Sequence, residues 1–175
     1  MRSTVSRIVA HVRLLAGDAS ATPRLSDDQV ATFLDKHRTF ERYTQLVAVP
    51  VQTGLATVAY YELDAPRDWW EADAEVVDAA YQPVDTSAWT IDLDAGVWVS
   101  PTGLIPPFYA TGSTFDVYAA AADCVDAIAA SMAAWFDFSA DQQEYKRSQA
   151  RAGLAAHAKE LRRQARPATI PVVAP

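Results

Sequence analysis

The stretch Ser113–Phe136, STFDVYAAAADCVDAIAASMAAWF, sets the reading of everything around it. Tyr118, Ala122, Val125, Ile128, Ala129, Met132, Trp135 and Phe136 recur at helical spacing, and the alanines among them let another helix approach closely. Ser113 is placed to cap the start, with Asp116 three residues on. This is the longest and most apolar periodic segment, so it is predicted to be a core helix.

Other helices are expected at both ends of the chain. Val5, Ile8, Val9, Val12 and Leu15 form one stripe, with Arg7 opposite, Arg13 at its edge and Gly17 as the stop. This segment keeps His11 and Arg13 inside its apolar stretch, which favours an amphipathic helix over a secretory signal. Ser26-Asp27-Asp28-Gln29 is a capping-box pattern opening a short second helix with Val30, Phe33 and Leu34 inward. A last helix is predicted from Ser148 to Arg166, with Leu154 and Leu161 inward and Pro167 ending it. Beyond it, Ala168–Pro175 is too rich in proline for helix and apolar enough to dock as an extended peptide.

Between the helices the pattern is that of strands. Leu46–Val49 closed by Pro50, and Leu55–Tyr61 after Gly54, are rich in β-branched and aromatic residues. Neither alternates cleanly, so the buried face of each stays open. Trp89–Leu93 does alternate, and Asp94-Ala95-Gly96 turns it into Val97-Trp98-Val99 as a hairpin. Pro101, Pro106 and Pro107 are expected to be loop. The expectation is therefore an α+β fold, mainly helical with about four helices, carrying a small antiparallel β insertion. Its parts are N-terminal helices over 1–41, the insertion over 42–110, helices over 111–166 that pack with 1–41, and an extended tail over 167–175.

Composition narrows the function classes. The 175 residues carry 15 basic and 22 acidic side chains, a net charge of -7. The charge is segregated: from Lys146 onward seven basic residues face only Glu160, whereas Glu62–Asp94 holds ten acids against Arg67. An acidic body argues against general nucleic-acid binding, which needs a broad basic face. The basic last helix complements its own dipole, and it also fits an acidic partner or a like subunit. No apolar run approaches a membrane span. The single Cys124 excludes an intrachain disulfide framework, and His11, His37 and His157 are scattered, so no metal or other cofactor is expected. A soluble protein of a reducing compartment fits these counts.

Motifs for catalysis are missing: there is no GxGxxG, P-loop, GxSxG or HExxH. Asp73 with Glu75, or Asp92 with Asp94, read as solvated acids more simply than as acid–base pairs. Trp69-Trp70-Glu71, with Trp89 and Trp98, suggests a sugar-stacking platform; aromatic packing of a β module is the simpler reading. Cys124 reads as a core thiol. No residue is assigned as catalytic, and the chain is not expected to be an enzyme.

Four strings resemble the head–tail connector (adaptor) proteins of long-tailed bacteriophages and gene transfer agents. They are His11–Asp18 (HVRLLAGD), Leu25–Val30 (LSDDQV), Phe115–Asp123 (FDVYAAAAD), and Asp137-Phe138-Ser139 followed by Arg147-Ser148-Gln149. They cover the helical half of the chain, and their order and spacing carry more weight than any one of them. The β segment departs from the minimal family pattern. The resemblance implies a non-enzymatic structural protein of the virion neck, assembled in the host cytoplasm. It implies a ring of twelve copies under the portal that extends the DNA channel and meets the next neck or tail component, a stopper or tail-completion protein. Double-stranded DNA would pass through without sequence recognition during genome ejection, and no membrane would be involved. On that reading the acids would line the lumen, and Arg162, Arg163, Arg166, Ile170, Val172 and Val173 would bind the portal. The rivals are a small carbohydrate-binding protein using the tryptophans and a helical DNA-binding regulator using the last helix.

Overall fold

A computed structural model describes residues 3–52, 58–133, 139–140, 143–144 and 147–166. It divides into two compact units, Met1–Ile8 with Arg38–Phe115, and Val9–His37 with Asp116–Pro175.

The second of these is helical. Helix α1 (Ser6–Ala16) enters it at Val9 and buries Val9, Val12 and Ala16. Gly17, at φ +70°, ends the helix: its N–H donates to Leu14 O at 3.2 Å, and the Asp18 N–H donates to Arg13 O at 2.9 Å. That pair of bonds is a Schellman motif, which needs a residue with no Cβ penalty at the left-handed position. Helix α2 (Asp27–Lys36) opens with the expected capping box, Ser26 and Gln29 each satisfying the other's backbone N–H. Helix α3 (Val117–Ala133) packs against α2 and against α4 (Arg147–Gln164). Ala120, Ala121, Ala122, Cys124, Val125 and Ile128 of α3 are buried, as are Ala158 and Leu161 of α4. Trp135 and Phe136, assigned to the third helix from their spacing, lie outside the described residues.

The start of α3 differs from expectation. Ser113 is a buried strand residue, and the cap is Asp116, whose carboxylate accepts from Ala119 N at 3.0 Å while its carbonyl accepts from Ala120 N at 3.0 Å.

The other unit is a curled antiparallel sheet. Its strands are β1 (Arg38–Gln52), β2 (Val58–Asp64), β3 (Glu75–Val77), β4 (Thr90–Asp92), β5 (Val97–Val99) and β6 (Phe108–Phe115), in the order β3-β6-β1-β2-β5-β4. The 15-residue β1 pairs with β6 through Arg38–Leu46 and with β2 through Val47–Gln52. Arg42 and Tyr43 together oppose Thr111, a bulge with Tyr43 at φ +53°, and such bulges sharpen local twist. Leu46, Leu63, Trp70, Val76, Trp98, Phe108 and Ala110 fill the inside of the curl. Trp70 and Trp98 meet edge to face at 5.7 Å. Burial of a side chain this large stabilises by about 5 kcal/mol, so these two rings dominate the unit's core.

The expectation of a mainly helical protein with a small β insertion is overturned. Of the described residues, helix makes up 39% and strand 29%, and the six-strand sheet occupies the middle of the chain. Two physical causes hid it. The sheet begins at Arg38, one residue after the α2 cap at His37, in a run (RTFER) with no apolar alternation. It ends with β6, whose buried Ser113 and Thr114 resemble a helix cap in composition. The curl also moves β1 from one partner to another midway, so its burial does not follow a clean period of two. The predicted β4–β5 hairpin forms, with Thr90 opposite Val99 and Asp92 opposite Val97. Of the segment expected as a strand over 55–61, β2 takes the residues from Val58 on, and 53–57 lie outside the described residues.

Candidate interaction surfaces

Each unit has a polar network built from residues far apart in sequence. In the helical unit Arg13, at the edge of the α1 stripe, is nearly buried. Its guanidinium donates to Asp18 at 3.0 Å, to Asp27 at 2.7 Å and to the Leu25 carbonyl at 2.7 Å. Asp18, only 4% exposed, also accepts from the backbone N–H groups of Arg24 and Leu25 at 2.8 and 3.1 Å. A buried ion pair is tolerated only when its polar atoms are satisfied, and here every guanidinium nitrogen and both Asp18 oxygens have a partner.

A second cluster lies on α3. Asp123 accepts from Lys36 Nζ at 2.6 Å, faces His37 Nε2 at 2.9 Å and meets Arg162 at 3.4 Å. Arg162 also donates to Asp126. Burial works to raise the Asp123 pKa, but the hydrogen bonds and positive charge of Lys36 and His37 outweigh it and hold the carboxyl below its usual value. The hint in sequence is a pair of acids, Asp123 and Asp126, on an otherwise apolar helix. Nearby, Cys124 is buried and its thiol is pushed up to about 12, mainly by desolvation, which leaves it inert as a nucleophile.

The residues assigned to portal binding separate. Arg162 is engaged by Asp123 and Asp126. Arg166 donates its backbone N–H to the Asp116 carboxylate at 2.7 Å. Arg163 is 80% exposed and, among the described residues, pairs with Glu160 of its own helix at 2.9 Å. Ile170, Val172 and Val173 lie outside the described residues.

In the sheet unit, Arg7 donates to Asp94 at 2.6 Å and to the Trp70 carbonyl at 2.7 Å. Glu71, 2% exposed, accepts from Thr4 at 2.7 Å and pairs with Arg38 at 3.1 Å. Asp92 accepts from the backbone of Asp94 and Ala95 at 3.1 Å and so shapes the β4–β5 turn. Asp73 and Glu75 are exposed. Three of the four candidate platform tryptophans are packed inward or against a neighbour. Trp70 and Trp98 are 0% and 1% exposed, and Trp89 packs edge-on against Phe108.

What sequence reading missed is the outer face of the sheet. Every residue from Leu46 to Val51 is apolar, so both faces of that strand are apolar, although only one can face the core. Val47 is 62% exposed and Val51 43%. Comparison with protein-family models, with curated proteins and with solved structures returned no match.

Proposed function

We propose that the chain is a structural head–tail connector of a tailed phage or gene transfer agent, a ring-forming protein placed between portal and tail. One observation carries this reading. The first two strings of the resemblance, His11–Asp18 and Leu25–Val30, are a single hydrogen-bonded unit joined by Arg13, Asp18 and Asp27. Residues that co-occur in such strings for a physical reason should touch, and these do. The third string, Phe115–Asp123, supplies the Asp116 cap and the Asp123 hub. Of the fourth, Asp137 and Phe138 lie outside the described residues, while Arg147-Ser148-Gln149 opens α4.

Charge supports the same role. Residues 1–8 and 38–115 carry five basic against eleven acidic side chains, while α4 is basic. A lumen lined with acids repels phosphate, so DNA passes without sticking. The tail after Pro167 is the segment that docks on the portal. Two experiments test these assignments. Removal of residues 168–175 is expected to abolish co-sedimentation with portal rings, and unchanged binding would refute tail docking. Neutralising exposed acids such as Asp73 and Glu75 is expected to slow genome ejection, and unaltered ejection would refute the lumen placement.

A further inference from the structure

We infer that the outer face of the sheet is the seat for α4 of a second copy of this chain. On β1, Leu46 and Ala48 pack into the core, so Val47, Val49 and Val51 share the opposite face. On β2, Leu63 points inward opposite Ala48, so Glu62 and Asp64 face outward, opposite Val49 and Val47. On β5, Trp98 points inward opposite Leu63, so Val97 and Val99 face outward beside Asp64 and Glu62. The outer face is thus a row of two acids flanked on each side by valines.

Two features of this face call for a cationic, narrow partner. One carboxylate oxygen of Asp64 is buried and has no hydrogen-bond partner among the described residues. Leaving such an oxygen unsatisfied carries its full desolvation penalty. The described cations of this unit are directed elsewhere: Arg7 to Asp94, Arg38 to Glu71, Arg67 to Glu41, and Arg42 over the Tyr43 ring. Among the described residues of this unit, no cation pairs with Asp64.

The exposed side of α4 fits in charge, width and spacing. Ala152, Ala156, Lys159 and Arg163 fall at i, i+4, i+7 and i+11, and all are exposed. The alanines present a low surface to valines, and the two cations stand together at one end. The valine rows of β1 and β5 are two strand spacings apart, roughly 10 Å, about the diameter of a helix. Residues two apart on a strand are separated by ~7 Å and residues four apart on a helix by ~6 Å, so Lys159 and Arg163 match Glu62 and Asp64 in spacing. Arg162 is held by Asp126 and takes no part.

The contact rests on the connector reading only in taking the second copy to be the neighbour in a ring. The test uses two full-length variants, Val49→Cys and Ala156→Cys, with native folding checked by circular dichroism. Mixed at high concentration and oxidised, they are expected to form a cross-linked dimer containing one of each, while either variant alone gives none. Native Cys124 is buried and does not compete. No mixed dimer, or equal cross-linking in the single-variant samples, would overturn the inference. Glu62→Lys and Lys159→Glu are each expected to weaken self-association about tenfold, the loss of one close interfacial charge pair, and mixing the two variants is expected to restore it. A mixed dimer from a chain absent from virions would keep the contact and remove the connector role. A chain present in virions without the cross-link would do the reverse.

Discussion

Arg13 and Asp18 form an ion pair at 3.0 Å whose side chains are only 11% and 4% exposed, on the helix and turn that open the helical unit. The pair is one node of a network that also takes in Asp27 and the Leu25 carbonyl, so the α1–α2 connection is fixed by charge-assisted bonds.

Removing one partner should therefore be costly. Arg13→Met leaves Asp18 buried and uncompensated, and urea unfolding is expected to show a loss of about 3–5 kcal/mol. A loss below 1 kcal/mol, the surface-pair range, would contradict the burial described here.

Asp123 makes stability pH-dependent with a definite sign. Its folded pKa lies below the ordinary 3.8, so the folded state favours the carboxylate. That contribution is fully present above 3.8 and is lost as pH falls from there through the depressed folded value. Asp123→Asn should lower the thermal midpoint at neutral pH and cost less well below pH 3.8. An undiminished gap in acid would contradict the assignment.

Two glycines separate conformational strain from collision. Gly17 and Gly96 sit at φ +70° and +72°, but a Cβ on Gly17 would meet open space while one on Gly96 would strike the Arg67 carbonyl. Gly17→Ala is expected to cost about 1 kcal/mol, the left-handed penalty alone. Gly96→Ala must also move backbone and should cost clearly more in the same thermal scan. Equal costs would show that the Arg67 segment yields freely.

Arg162 offers a test by charge reversal. Arg162→Glu puts a third carboxylate beside Asp123 and Asp126. The midpoint is expected to fall, and to fall less in high salt, because the groups are partly exposed. A salt-independent effect would point to lost packing in place of repulsion.

The helices were legible because their signals are local. The Ser26–Gln29 box, the Gly17 stop and the α3 stripe each depend on residues within a few positions. The sheet was not, because its pairing is long-range: Arg38 meets Phe115 and Trp70 bridges Thr114. Arg13 looked like a stripe-edge cation since its partners Asp18 and Asp27 come together only after the chain turns. Arg162 looked available for a partner for the same reason. The valine-flanked acids of the outer sheet face need three strands in register before they become a row.

The central claim is tested most directly by quantitative mass spectrometry of purified particles, counting this chain against the portal protein. A connector ring predicts near-equal copy numbers in particles. Absence of the chain from particles that contain portal would contradict the account.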